Sequence, residues 1–480
     1  MRIFLQRPIK ENHIEEFLVT LKSYSLKVVY AMGLNSEKFS DILDSDCLFN
    51  DYFSQVKGDL STLNKRVERE LPSPNLLEKL KDCERLFYPM IERMNFQNHR
   101  NSRLYDFYIK YLIYWLSLIE YLKPDGIVFM AIPHEGHDFV LYHLAKELGL
   151  KVIIVERTIF HDRSLILPGI DEFPIFPKSY QNKVEISAEF HTAYQAYQDR
   201  IIRVEKKNKK KVFKALIKSV KHIFSKKAVL DAIYGLSDQL PNIAMHTWNR
   251  YKAVQHANNL SKLYCDNSVT PDFNKYKGIY FALHFEPEKS TLPMGSKFWN
   301  QLYVLETILE FLPEGWVIYV KEHPRQFNRT PLKLEFSRDE QFYLKLINNP
   351  RIVLLSLDLK SDTIVNNVQA VGTITGTVGW EAALEKIPTI VFGKPWYYGC
   401  PEIFFAHDNS DYISDFFNQL SEGKIQIDLE RLKCYATWLK KEATYQGTGF
   451  QWIYSEMTEE ENEKVLAESI SQGFKDLYKN

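Results

Sequence analysis

Apolar residues recur at helical spacing over residues 74–95 and again over 103–122, which predicts two helices packed against a core. The pattern then changes. Gly126-Ile-Val-Phe-Met130 is a short unbroken apolar run, as a parallel strand covered on both faces requires. A polar loop, Ile132-Pro-His-Glu-Gly136, leads into helical spacing from His137 to Leu148. Gly149 punctuates, and Lys151-Val-Ile-Ile-Val155 reads as the next strand. Strand, helix, strand in that order predicts a βαβ unit and a doubly wound α/β domain.

The alternation returns in the second half. Apolar runs at Ile279–Leu283, Trp316–Val320, Ile352–Leu355, Ala370–Ile374 and Thr389–Phe392 read as strands. Helical spacing separates them at 296–311, 339–347, 361–368 and 377–386. That is a second Rossmann-like domain. Two such domains in one chain predict a ligand cleft between them. Near the end, Thr458 precedes Glu461 by three residues, a capping-box spacing, before helical spacing to about Leu477. The expected division is an N-terminal α/β domain over 1–235, a linker over 236–275, a C-terminal Rossmann-like domain over 276–455 and a final helix within 456–480. That helix is expected to pack back on the N-terminal domain.

Within the first of these regions, Lys206 to Lys227 holds ten lysines and no acidic residue. Val212, Phe213, Leu216, Ile217, Val220, Ile223 and Phe224 form one apolar stripe through it. An amphipathic helix with a lysine-only polar face suits an anionic membrane surface. A connector helix packed on its own protein has the same pattern. Over the whole chain charge is balanced, 61 basic against 61 acidic residues, which argues against a nucleic-acid binder. Five dispersed cysteines without a CxxC pair predict reduced thiols in a cytoplasmic protein rather than a disulfide framework or a zinc site. The opening MRIFLQRPIKENH meets charge before an apolar core can form, and Phe107–Leu122 is too short and charged to span a bilayer. The expectation is a soluble protein, or one resting on a membrane face.

Four clusters carry candidate chemistry. Lys321-Glu-His-Pro324 follows a strand, where residues of open α/β sheets face the ligand crevice, and Lys321 and His323 offer donors suited to phosphate. Thr373-Ile-Thr-Gly-Thr-Val-Gly379 runs from strand to helix. Backbone N–H groups around Gly376, with the Thr375 and Thr377 hydroxyls, would make an anion site, and Glu381 could accept from ribose hydroxyls. A plainly capped helix start would look the same, and with no Walker lysine this is not a P-loop. His284-Phe-Glu-Pro-Glu-Lys-Ser-Thr291 is more polar than a plain loop needs, with Ser290 and Thr291 at its end. Pro133-His-Glu-Gly-His-Asp138 offers a general base. It lacks an i, i+4 histidine pair, so no metal site is expected.

These residues bring a family into view. HFEPEKST, GWVIYVKEHPRQF and TITGTVGWEAALEKIPTIVFG resemble the capsule polysaccharide biosynthesis glycosyltransferases, and PHEGHDFVLYHLAKELGLKVIIVERT looks like that family's N-terminal half. The resemblance covers about residues 125–160 and 278–400. It implies an α/β, GT-B-like fold, with two Rossmann-like domains facing a central cleft. It also implies transfer from a nucleotide sugar, of which CMP-activated acidic sugars such as Kdo are favoured, to a glycan or lipid-linked acceptor without metal or other cofactor. By that analogy Lys321, His323, Ser290, Thr291, Thr375, Gly376 and Thr377 surround the donor phosphate and Glu381 holds the ribose. Glu135 is the favoured base, with His134 and Asp138 behind it. The setting implied is cytoplasmic, on the inner membrane face. A UDP-sugar or CDP-glycerol donor, or a non-catalytic scaffold docked through 206–227, are the alternatives.

Overall fold

The computed structural model describes residues 1–9, 14–33, 39, 41–43, 46–50, 55, 67–94, 101–180, 254–323, 326–328, 338–406, 411–449 and 457–479. The lysine-rich segment 206–227, residues 236–253 of the expected linker, and Pro324 lie outside that set.

The N-terminal half contributes strands β1 (Arg2–Ile9), β2 (Lys27–Gly33), β3 (Leu48–Asn50), β4 (Gly126–Phe129), β5 (Lys151–Arg157) and β6 (Arg163–Leu167). They lie in the order β6-β5-β4-β1-β2-β3. All neighbours are parallel except β5 and β6. β1 takes the centre although its apolar run is only Ile3-Phe4-Leu5, all three fully buried. Flanking Arg2, Gln6 and Arg7 hide it from a search for long apolar runs. Helices cover both faces, which is why β4 and the Val152–Val155 run of β5 are apolar. One face packs Phe4, Ile127, Phe129 and Ile154 against Leu112 and Trp115 of the helix Asn101–Leu122.

The C-terminal half contributes β7 (Gly278–Ala282), β8 (Val317–Lys321), β9 (Ile352–Leu354), β10 (Ala370–Thr373), β11 (Thr389–Val391) and β12 (Phe404–Phe405). Their order is β12-β11-β10-β7-β8-β9, with every pairing parallel. Ile279, Phe281 and Ile318 pack on Val304, Leu305 and Ile308 of the helix Gln301–Phe311. On the opposite face Tyr280, Val317, Tyr319 and Val371 pack on Ile364, Val365, Val378 and Ala382. Each fully buried aliphatic side chain contributes about 1.5–3 kcal/mol. Because strand order reverses between β7 and β10 here, and between β1 and β4 in the first sheet, each sheet has a switch point where its crevice opens.

The chain then returns. β13 (Tyr445–Gln446) pairs antiparallel with β6 and makes the first sheet seven-stranded. The chain is thus back on the first sheet by Tyr445, ahead of the boundary expected at residue 455: Gly447 donates to the Asp162 carbonyl and Arg163 bonds the Thr444 hydroxyl at 2.8 Å. The helix Glu459–Leu477 starts with the capping box of Thr458 and Glu461. It lays Leu466, Ala467, Ile470 and Phe474 on Ile3, Leu5, Val128 and Ile153. Gly447, at φ +88°, crosses so close that a Cβ would sit 2.7 Å from the Leu466 backbone.

The two halves touch at their strand ends. Lys289, after β7, forms a buried ion pair with Glu156 at the end of β5. Lys394 reaches Asp171 at 3.3 Å, and the Phe176 ring sits 5.5 Å from Tyr435. Two Rossmann-like sheets with facing carboxyl-terminal edges make a GT-B-like α/β arrangement.

Candidate functional site

On the N-terminal side the chain leaves β4 through Pro133-His-Glu-Gly-His-Asp138. Gly136 has φ +78°, and a Cβ there would meet Ile91 at 2.3 Å, so only glycine makes this turn. Asp138 accepts from the backbone N–H groups of His134 (3.2 Å) and Glu135 (2.7 Å). Its carboxylate thereby clamps the loop. His134 sets Nδ1 against the Ile132 carbonyl at 2.7 Å. Glu135 is 29% exposed, and its Oε2 lies 3.5 Å from Nε2 of His137, which is 2% exposed. Burial pushes the Tyr111 phenol up, and the Asp138 and Glu135 carboxylates add to the shift.

His137 was not singled out by sequence reasoning, yet it anchors this corner. The Trp115 indole N–H donates to its carbonyl at 2.7 Å. Its Nδ1 lies 3.0 Å from Nε2 of Gln55, a residue that arrives from far along the chain with no local motif to announce it.

On the C-terminal side the turn after β10 is organised by a second residue that spacing did not single out, His284. Its Nε2 accepts from the backbone N–H groups of Ile374 and Thr375, each at 3.0 Å. Burial, then Arg338 and His323, push its pKa down to about 3, so the ring stays neutral and keeps that lone pair. Gly376 N–H goes to the Thr373 hydroxyl at 3.0 Å. Three of the N–H groups expected to bind an anion are thus already used within the protein. The helix Thr377–Leu384 begins beyond them, with Thr377 exposed and Glu381 half-buried one turn on.

The other predicted residues divide in the same way. Thr375 donates its hydroxyl to the Ser290 carbonyl at 2.6 Å, and Thr291 donates to the Glu288 carbonyl at 3.1 Å. Ser290 is half-buried beside them. The Lys321 ammonium bonds the Leu359 carbonyl, and burial lowers its pKa. His323 is half-buried with its ring 5.5 Å from Phe285. Beneath it Glu322 forms a fully buried pair with Arg338 at 3.0 Å, accepts from Tyr343 at 2.7 Å and from the His323 N–H at 2.8 Å. Arg338 also donates to the His284 carbonyl at 3.0 Å. This network joins the loops after β7 and β8 into one support. Among the described residues no group of three or more His, Cys, Asp or Glu is placed to hold a metal ion, and no helix is long and apolar enough to cross a membrane.

Residues 289–400 match the family described as capsule polysaccharide biosynthesis protein. That segment holds Lys289, Lys321, His323, the turn at Gly376 and Glu381, while the Glu135 loop and His284 lie outside it. The chain is 24% identical over 157 residues to the capsule polysaccharide modification protein LipA of Neisseria meningitidis serogroup A, and equally to that of serogroup B. The alignment takes in 32% of this chain and 21% of each relative. The chain therefore spans about a fifth of the length of these curated relatives. Among solved structures, the β-Kdo 2,4 transferase of Thermosulfurimonas dismutans KpsC is similar at 12% identity and TM-score 0.30, over 69% of this chain and 86% of that one. The UDP-GlcNAc 2-epimerase of Methanocaldococcus jannaschii is similar at 12% identity and TM-score 0.26, over 92% and 99%. Through residues 289–400 the chain matches the capsule polysaccharide biosynthesis protein family, the family its motifs resemble.

Proposed function

We propose that the protein is a capsule polysaccharide glycosyltransferase. It takes a sugar from a nucleotide donor seated on the C-terminal sheet and passes it to a glycan or lipid-linked acceptor at the N-terminal sheet. One observation carries this reading. A partly exposed carboxylate, Glu135, stands at one switch point, and a helix start stands at the other, with half-buried His323 after the neighbouring strand β8, both inside the matched segment. Glu135 takes the proton of the acceptor hydroxyl as it attacks. The remaining N–H groups at the start of the helix Thr377–Leu384, with His323 and the Thr377 hydroxyl, meet the charge gathering on the departing phosphate. Glu381 holds the ribose. Lys321, Ser290, Thr291, Thr375 and Gly376 shape the loops that surround it.

The donor favoured is a CMP-activated acidic sugar, on the family resemblance alone. Its leaving group is a monophosphate, whose charge these donors can meet without a divalent ion. The test is thermal stabilisation by CMP, UDP, CDP and their sugar conjugates, since a ligand at a hundred times its Kd adds about 2.7 kcal/mol. A shift with CMP compounds alone, lost in His323→Ala, is expected. A UDP or CDP preference overturns the donor. No shift with any nucleotide in folded protein overturns the enzyme and leaves the scaffold reading. The cytoplasmic, membrane-facing placement rests on residues 206–227. Sedimentation with anionic vesicles tests it, and binding that is absent or indifferent to salt removes it.

A further inference from the structure

Glu135 is the exposed end of a buried chain of polar side chains. The Asn50 amide donates to the Tyr114 hydroxyl at 2.6 Å, and Tyr114 meets the Tyr30 hydroxyl at 2.9 Å. Tyr30 donates to Gln55 Oε1 at 2.9 Å. With the Gln55 amide oriented this way, its nitrogen faces both Gln6 Oε1 (2.9 Å) and His137 Nδ1 (3.0 Å). An amide nitrogen only donates, so in this orientation Nδ1 accepts and the imidazole proton lies on Nε2. Nε2 is the atom 3.5 Å from the Glu135 carboxylate. Every member from Asn50 to His137 is buried. At this depth an unmade hydrogen bond is costly, which favours keeping the donor–acceptor order.

Resting on the reading of Glu135 as the base, we propose that His137 is its positioning residue. Gln55 favours the Nε2–H tautomer of the ring, which sets its one N–H 3.5 Å from the carboxylate, within reach of a hydrogen bond that a small rotation completes. That contact selects the Glu135 rotamer that faces the crevice and leaves the second carboxylate oxygen for the acceptor proton. His137 itself does not meet substrate. Its effect is on turnover, not on donor binding, because the donor sits on the opposite sheet.

Two experiments test this. In the full chain labelled with [15N]histidine, long-range 1H–15N spectra read the tautomer directly, with His137→Gln identifying its signals. The expected result is a protonated Nε2, an unprotonated Nδ1, and movement of the Nε2 resonance in Glu135→Gln. An Nδ1–H tautomer, or a resonance indifferent to Glu135→Gln, overturns the inference with no substrate involved. The second experiment follows CMP release from CMP-Kdo with acceptor present. His137→Leu is expected to lower kcat about tenfold or more with KM unchanged, while His137→Gln, which restores an N–H near the Nε2 position, recovers most of the loss. Equal losses in the two variants that track their melting temperatures make His137 merely structural and overturn the inference. An undiminished kcat in Glu135→Gln overturns the base reading, whatever the spectra show.

Discussion

Each sheet places a buried histidine at its switch point, and the two are used in opposite senses. In the N-terminal half His137 receives a donor from inside the protein and presents one outward, so the network ends on a partly exposed carboxylate. In the C-terminal half His284 takes two backbone N–H groups, and the charges behind it, Glu322 and Arg338, are fully enclosed. The first network aims a side chain. The second builds a turn. Perturbing the first should therefore change chemistry at constant stability, and perturbing the second should change stability first.

The sharpest break of this contrast is Glu135→Gln, expected to lower turnover about 10²–10⁴-fold while the melting temperature stays put. A matching loss of stability would place Glu135 in the structural network and erase the difference between the halves. Next is Arg338→Met, which strands the Glu322 carboxylate in the interior and is expected to destabilise by about 3–5 kcal/mol, read by denaturant unfolding. Glu156→Gln belongs with it. It leaves Lys289 buried without its counter-charge where the two halves meet, and a loss approaching the same size is expected. A Glu156→Gln protein as stable as the parent would show that the halves are held together elsewhere.

Acid gives a graded comparison. His284 titrates at about 3 in the folded protein, against roughly 6.5 when free. Between those values the unfolded chain binds the proton and the folded one does not. Stability should therefore fall as pH drops below about 6.5, by at most about 1.4 kcal/mol per unit. His284→Gln, which offers an uncharged acceptor, should flatten that slope when melting is followed from pH 7 to 4. In the N-terminal half, burial holds His143 at about 4, so His143→Gln should flatten a narrower stretch of the same curve. The smallest effect expected is Thr458→Ala, about 1 kcal/mol from the lost cap, visible as a lower melting temperature of the N-terminal half.

Much of the second half was legible because β7, β8, β10 and β11 are apolar runs buried on both faces, so composition alone betrays them. The same logic put the loops at Glu135, His323 and Gly376 at strand ends, where the structure has them. β1 was not legible, since three apolar residues between charges look like nothing in isolation, and its central place depends on neighbours β2 and β4. His284 and His137 lie inside motifs visible in the sequence, yet what each ring nitrogen meets depends on Ile374, Thr375 and Gln55. Those partners come from 80 or more residues away, and no local period records them. Lys321 and Asp138 show the converse. Their residue types suit a ligand, and the internal bonds they also make, to the Leu359 carbonyl and from the loop's own N–H groups, depend on the fold.

The returning helix Glu459–Leu477 also sets an order of events during synthesis. The C-terminal sheet has all of its core partners, residues 257 to 420, before the first sheet has its own. Ile166 must wait for Leu466 and Ile470 to leave the ribosome. At about 5–20 residues per second, that wait is roughly fifteen seconds to a minute. Throughout it, the part of that sheet face which the final helix covers is open, although Phe17, Leu18 and Leu21 already pack beside it. The later-made half should thus be the first to become protease-resistant on the ribosome, and the nascent N-terminal half is the natural client for a chaperone.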